Sequence, residues 1–279
     1  MVASLQNSVN TNTSSIAALA SLRTINNNLS VAQKQLQTGY RVADAYDDAS
    51  TFSVAQGLRG ELQAYAAVQA SLANGVGLGS VTQGALTGIS DLVGNLEAKI
   101  TQLADGGISA GQRAIYTVDY NALTSQISNF ISQANYNGTN LLSAGSASKT
   151  FLADASASTL TITSQSSVSA AFTTFATSSV ASASEATLAL TSLSTFSTAV
   201  ASSLGQNASE SRSLTLQSNF TNSITDAITI GVGALVDADI GKASAAVQAL
   251  QVRQQLAIQS LAIANQQPSR LLGLFPTIN

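Results

Sequence analysis

Apolar residues recur at helical spacing along most of this chain of 279 residues. Near the N-terminus they follow one another at steps of three, four or seven positions, which draws one narrow stripe along a helix. The pattern predicts a first helix over about residues 12–38. Its stripe consists of Ile16, Leu19, Leu22, Ile25, Leu29 and Leu36.

Two more helical stretches follow in the first half of the chain. Apolar residues follow at steps of three or four from Val54 to Val76, and the pattern resumes from Ile89 to Leu103, after which an Asp-Gly-Gly sequence breaks it. A third helix is predicted over about residues 110–134, and it ends before Asn137-Gly138, a dipeptide that favours a turn.

Helical spacing returns in the second half of the chain. A helix of about 45 residues is predicted from about Leu190 to the glycines at positions 231 and 233. An aspartate of the following segment, Asp237 or Asp239, is predicted to cap the last helix. The last apolar stripe, from Val247 to Leu261, continues to Pro268.

Residues 143–187 interrupt the helical pattern. Close to half of them are Ser or Thr, and charged residues almost vanish. Two short strands, Phe151–Ala153 and Thr159–Thr163, are predicted to form a hairpin around Asp154-Ala155-Ser156. We expect the rest of this segment to be a surface-exposed insert without helical periodicity.

The helices at the two ends need a partner. A lone amphipathic helix has little reason to stay folded in water, because most helical stability in proteins comes from packing the apolar face. The terminal stripes therefore pair with each other or with copies in other subunits. Both possibilities remain open from the stripes alone.

Composition excludes several classes of function. Charged residues make up 9% of the chain, against roughly 25% in an ordinary soluble domain, and His, Cys and Trp are absent. Without His or Cys there is no Ser-His triad, cysteine nucleophile, ordinary zinc site, zinc protease motif or disulfide. We expect a protein that is not an enzyme and that needs no cofactor or metal.

Charge and hydropathy patterning exclude two kinds of partner. The net charge is −3 and no run of Lys or Arg occurs, which argues against a nucleic-acid surface. No window holds 18 consecutive apolar residues, so we expect no membrane insertion. The first residues carry no basic segment followed by an apolar one, so we also expect no cleaved signal peptide.

Five sequence blocks carry recognisable motifs. They are Thr11–Thr13, Gln35–Ser50, Gln83–Leu86, Asn135–Leu142 and Gln251–Gln266 with Leu271-Leu272. These blocks resemble motifs of bacterial flagellin, the building protein of the flagellar filament. The most specific is Gln35–Ser50, which resembles the family's Leu-Ser-(Ser/Thr)-Gly-x-Arg-(Ile/Val)…Asp-Asp-Ala block. The resemblance covers roughly residues 1–145 and 186–275.

The resemblance implies a mainly α fold, in which long antiparallel helices form a discontinuous, coiled-coil-like rod with a small β-hairpin. Residues 1–43 with 242–279 correspond to an inner domain of paired terminal helices. Residues 44–145 with 186–241 correspond to a helical rod domain. Residues 146–185 correspond to a short, Ser/Thr-rich outer insert.

The resemblance also implies a function and a location. Flagellins self-assemble into the filament used for swimming, outside the cell, after type III export without a cleaved signal peptide. The implied partners are other flagellin subunits, cap and hook-associated proteins, the export apparatus and an export chaperone. Two alternatives stay open, a hook-filament junction protein with the same terminal architecture and a secreted adhesin.

Subunit contacts are expected from two groups of residues. Arg41 is expected to form a forked contact with a carboxylate of this subunit or a neighbour, and one of the nearby aspartates is expected to cap the next helix. A divalent-metal site in this acidic segment is the alternative reading. The full set of candidates is Arg41, Asp44, Asp47, Asp48, Leu19, Leu22, Leu29, Leu36, Leu250, Leu256, Leu261, Leu271 and Leu272.

Glycine is crowded into a stretch whose apolar spacing is otherwise helical. Each of these glycines costs about 0.8 to 1 kcal/mol relative to alanine inside a helix. Either another element packs closely against them, or they make the helix deformable so that subunits adopt two packings. The residues concerned are Gly75, Gly77, Gly79, Gly84, Gly88 and Gly94.

Overall fold

The computed structural model describes the backbone of residues 11–272 and the side chains of residues 11–267. The fold is mainly α, as predicted, with one small antiparallel sheet. The elements in chain order are α1 (Thr13–Thr38), α2 (Ala49–Ala104), α3 (Ala110–Gln133), β1 (Lys149–Leu152), β2 (Thr159–Ile162), α4 (Ser166–Ala176), α5 (Ala183–Val236) and α6 (Ile240–Leu272).

Two compact units divide the chain, residues 1–60 with 228–279 and residues 61–227. In the first unit, α1 and α6 lie antiparallel. The Nδ2 of Asn12 donates to the carbonyl of Ala264 at 2.7 Å, and the Nε2 of Gln254 donates to the Oδ1 of Asn26 at 2.8 Å. The terminal helices therefore pair with each other within one chain, which is one of the two possibilities that their apolar stripes left open.

The second unit holds the largest core. Apolar side chains of α2, α3, α4 and α5 pack together there, from Leu86 to Leu103 on α2 and from Ala186 to Val200 on α5. A smaller cluster packs Ile162 of β2 and Leu141 against Leu72 and Leu214. The hairpin is thereby joined to both long helices.

The β-hairpin forms at the predicted place. Its register pairs Lys149 with Ile162 and Leu152 with Thr159. In the connecting loop, Oδ1 of Asp154 accepts hydrogen bonds from the backbone N–H of Ser156 at 2.7 Å and of Ser158 at 3.0 Å. These bonds satisfy donors that the tight loop cannot pair along a strand.

The expectation of an exposed, non-helical segment after the hairpin is wrong for α4. This helix buries Val168, Phe172 and Phe175, and Phe175 stacks on Phe196 of α5 with ring centroids 6.1 Å apart. The three buried residues lie at helical spacing on one face. Segment 146–185 therefore contributes to the core of the second unit.

Candidate assembly surface

Helix α1 is bounded by local signals at both ends. Asn12 is its N-cap, and its side chain accepts from the backbone N–H of Ser15 at 3.0 Å. Gly39 ends the helix in the left-handed conformation, with φ of 74°, and donates its N–H to the carbonyl of Gln35 at 2.9 Å. Glycine adopts this conformation without strain, which accounts for the sharp end of the helix.

The contact between α1 and α6 buries few side chains. Its core consists of Leu29, Ala32 and Val247, with Ala246 and Leu250 partly buried against it. This set is small for helices of 26 and 33 residues. Most of the apolar stripe on each helix therefore remains accessible in the single chain.

The predicted leucines divide by exposure. Leu29 is buried, Leu22, Leu250 and Leu261 are half-buried, and Leu19, Leu36 and Leu256 are exposed. Leu271 and Leu272 belong to α6, but their side chains lie outside the described residues. Six further exposed apolar residues of these helices were not among the predicted contact residues, although Ile16 and Ile258 belong to the predicted stripes. They are Ile16, Val31, Ile240, Val252, Ile258 and Ile263.

A turn of charged residues follows α1 and is held by Lys34. The Nζ of Lys34 lies 2.7 Å from Oδ2 of Asp44 and 2.8 Å from both carboxylate oxygens of Asp47. Asp47 also accepts from the backbone N–H of Ala43 at 2.9 Å. Sequence reasoning missed Lys34, which lies one turn before the end of α1 and ten residues before Asp44.

The pKa values of this group shift together. Hydrogen bonds to Asp44 and Asp47 raise the pKa of Lys34, and the hydrogen bond from Lys34 is the largest cause that lowers the pKa of each aspartate. All three groups are accessible to solvent, so salt screens their attraction. The arrangement fixes the shape of the turn.

Arg41 contacts a backbone carbonyl, so the expected forked contact with a carboxylate is wrong within this chain. Its guanidinium donates to the carbonyl of Leu235, and its backbone N–H donates to the carbonyl of Val236 at 2.7 Å. These carbonyls belong to the last turn of α5, which lacks intrahelical donors for them. A cation at this end also complements the helix dipole.

Two aspartates cap helices, as predicted. Oδ1 of Asp48 accepts from the backbone N–H of Ser50 and of Thr51, each at 3.1 Å, at the start of α2. Oδ1 of Asp239 accepts from the N–H of Lys242 at 3.0 Å at the start of α6. Among the residues that the structure describes, no three acidic side chains are grouped so that they could hold a metal ion.

Two family models match the chain on either side of the hairpin segment. The bacterial flagellin N-terminal helical region matches residues 9–147, and the bacterial flagellin C-terminal helical region matches residues 187–275. The chain belongs to the bacterial flagellins. Its fold and its five sequence blocks agree with that membership.

Curated flagellins are similar over nearly the whole chain. Flagellin FljM of Caulobacter vibrioides is 30% identical, with 96% of this chain and 98% of the relative covered. A flagellin of Brucella melitensis is 32% identical, with 96% and 99% covered. A solved structure of a putative flagellar hook-associated protein from Vibrio parahaemolyticus has a TM-score of 0.57 at 15% identity, covers 68% of this chain and all of that chain, and supports the fold alone.

Membership of this family establishes the function at the level of the filament. The chain is a structural subunit that self-assembles with other flagellin subunits into the bacterial flagellar filament, outside the cell, for swimming motility. No helix in the described part of the chain is long and apolar enough to cross a membrane. The candidate site of such a subunit is an assembly surface.

Proposed function

We propose that the pair of helices α1 and α6 carries the subunit contacts of the filament through its exposed apolar side chains. The observation that supports this is the exposure of large apolar residues on both helices, including Ile16 at 60%, Leu256 at 58% and Ile263 at 68%. Monomeric proteins rarely leave large apolar patches in water unless another surface covers them. In the filament, we expect the α1 and α6 pairs of neighbouring subunits to cover this apolar surface.

Few large side chains stabilise the pair within one chain. Leu29 and Val247 are the only large aliphatic residues in the buried core that the described parts of α1 and α6 form. Most helical stability in proteins comes from packing an apolar face. We therefore expect the pair to gain much of its stability when neighbouring subunits bury the remaining stripe.

The charged turn has a supporting part in this proposal. Asp44 and Asp47 bind Lys34, Asp48 caps α2, and Arg41 binds the end of α5. These residues fix how the chain enters and leaves the α1 and α6 pair. They orient the assembly surface, while the leucines supply its contact area.

Further partners, the route of secretion and the domain bounds belong to the same proposal. We infer that the subunit also meets cap and hook-associated proteins, an export apparatus and an export chaperone. It performs no catalysis, which the absence of His and Cys supports.

We assign residues 1–43 with 242–279 to an inner domain and residues 44–145 with 186–241 to a rod, to which the burial of α4 adds residues 166–176.

A pair of double variants tests the assembly surface. Leu256→Gln with Ile263→Gln removes exposed apolar side chains, whereas the control, Gln255→Ala with Gln259→Ala, changes exposed polar residues on the same helix. Salt-induced polymerisation is followed by sedimentation and electron microscopy. We expect the apolar variant to need about a tenfold or higher concentration to polymerise, because the two lost contacts together are worth at least about 1.4 kcal/mol, which corresponds to a factor of ten.

The control should polymerise like the original chain. Circular dichroism of both monomers establishes that the substitutions leave the helices of the second unit intact. Tubes of normal length from the apolar variant at the original concentration would contradict the proposal.

A further inference from the structure

Two Asn-Gly dipeptides occur in this chain, Asn74-Gly75 and Asn137-Gly138. In such a pair, the backbone nitrogen of glycine attacks Cγ of the asparagine side chain. The new N–Cγ bond forms, the Cγ–Nδ2 bond breaks, and ammonia leaves with the proton of the backbone N–H. Water then opens the resulting succinimide at either carbonyl, which yields aspartate or isoaspartate.

The two dipeptides lie in different backbone conformations. Asn74 and Gly75 are inside α2, where the N–H of each residue bonds the carbonyl four residues earlier. Asn137 and Gly138 are exposed and form a two-residue turn. Tyr136 and Thr139 close that turn through two backbone hydrogen bonds, each 2.9 Å long.

The turn holds the reacting atoms of Asn137 and Gly138 apart. Asn137 has φ of 48° and Gly138 has φ of 76°, so both central residues are left-handed, as a type I′ turn requires. In such a turn ψ of the first central residue is about +30°. The backbone nitrogen of Gly138 then points away from Cβ of Asn137, and ring closure requires a large rotation about ψ.

A second constraint acts on the attacking nitrogen itself. The N–H of Gly138 donates to Oδ1 of Asn135 at 2.9 Å. Attack requires this nitrogen to lose its proton, and donation to a carbonyl oxygen stabilises the protonated form. The side chain of Asn135 thus keeps the backbone nitrogen of Gly138 protonated, and this nitrogen is the one that would attack Asn137.

We propose that Asn137 is a site of spontaneous deamidation that the folded turn suppresses, and that the hydrogen bond from Gly138 to Asn135 is needed for this suppression. The reaction proceeds when the turn opens, so the modified fraction of Asn137 records the time that a chain has spent unfolded. An isoaspartate adds one methylene to the main chain and is incompatible with a two-residue turn.

Loss of the turn has a structural consequence within the second unit. The ring of Tyr136, the first residue of the turn, lies so close to Gly77 that a Cβ added to this glycine would be 2.6 Å from Cζ of the ring. This fit depends on the backbone of the turn that Asn137 and Gly138 form. A chain modified at Asn137 therefore loses the backbone that positions Tyr136 against α2.

The full-length protein can be aged at mildly alkaline pH, both native and in denaturant, and digested after Lys and Arg. Asn137 and Asn74 then lie in separate peptides, residues 114–149 and 60–99. Mass spectrometry measures the conversion of each amide to an acid. In denaturant we expect both asparagines to convert. In the native chain we expect conversion at Asn137 to slow by about tenfold or more, because it requires local opening.

Two variants test the role of Asn135. Asn135→Ala should speed conversion of Asn137 in the native chain while Asn74 stays protected, and Asn135→Asp, which keeps an acceptor oxygen, should restore protection. If Asn137 converts in the original native chain as fast as in denaturant, the proposal that the turn suppresses deamidation is overturned. An unchanged native rate in Asn135→Ala, or loss of protection in Asn135→Asp, overturns the assignment of Asn135.

Discussion

Gly77 and Gly84 of α2 should respond differently to substitution by alanine. Both lie in the interior of the same helix, where alanine is favoured over glycine by about 0.8–1 kcal/mol. A Cβ at Gly84 meets nothing within 4 Å, whereas a Cβ at Gly77 would lie 2.6 Å from Cζ and Oη of Tyr136. The difference between the two variants therefore isolates the steric cost at Gly77.

The size of this difference follows from the cost of overpacking. Forcing a ring out of a tightly packed position costs about 1–3 kcal/mol. Gly84→Ala should therefore stabilise the monomer by about 1 kcal/mol, and Gly77→Ala should range from neutral to about 2 kcal/mol destabilising. For a unit of 150–250 residues, 1 kcal/mol corresponds to about 2–4 °C in Tm.

Thermal unfolding of both monomers by circular dichroism, under conditions that prevent polymerisation, measures the difference. A Gly77→Ala variant as stable as Gly84→Ala would refute the reasoning, because it would show that Tyr136 moves aside freely. Gly94→Ala is a second control, since a Cβ at Gly94 also meets nothing within 4 Å.

The six crowded glycines do not share one explanation. A Cβ at Gly75, Gly77, Gly79 or Gly88 would meet a neighbouring side chain at 3.3 Å or less, so close packing accounts for these four. Gly84 and Gly94 have open space, and close packing does not account for them. The hypothesis of a deformable helix therefore applies to Gly84 and Gly94, and dark-field imaging of filaments built from Gly84→Ala, Gly94→Ala chains tests it.

Three further predictions concern other parts of the chain. Phe175→Ala should cost about 3–5 kcal/mol of monomer stability, against little change for the exposed Phe220→Ala, as measured by urea unfolding. Both aspartate partners of Lys34 have pKa values below their ordinary 3.8, so their contact with Lys34 should protect the backbone N–H groups of the turn from amide exchange at any pH above 3.8. This protection should fall as the pH drops through the lowered pKa values, and it should be absent in Lys34→Met. Removal of residues 1–38 or 243–279 should leave a helical fragment that forms no tubes by electron microscopy.

The helices could be predicted from the sequence because their apolar spacing is long and regular. The first helix was expected over about residues 12–38 and spans Thr13–Thr38. Helix α4 was missed, although Val168, Phe172 and Phe175 already lie at helical spacing. The Ser and Thr residues between them mark a surface loop in most sequences, and here they lie on the outer face of a short helix that three apolar side chains anchor.

The contacts of the charged turn could be predicted only in part. Helix capping by Asp48 depends on residues two and three positions away, so the local sequence contains the necessary information. The partner of Arg41 lies 194 positions away, at the end of α5. A guanidinium with several aspartates nearby in sequence suggests a carboxylate partner, but the fold brings it to the carbonyl of Leu235, which lies in the last turn of α5 and lacks an intrahelical donor.

Apolar spacing in the sequence does not predict which part of the stripe on α1 stays exposed as the assembly surface. Leu29 and Leu36 belong to one stripe and are separated by two helical turns, yet Leu29 is 8% exposed and Leu36 is 38% exposed. Spacing places both residues on one face of α1 but does not say which part of that face α6 covers. Within one chain α6 covers the part around Leu29, since Val247 packs there. The uncovered part is what a second subunit can bury, so the exposed leucines are better candidates for filament contacts than the buried one.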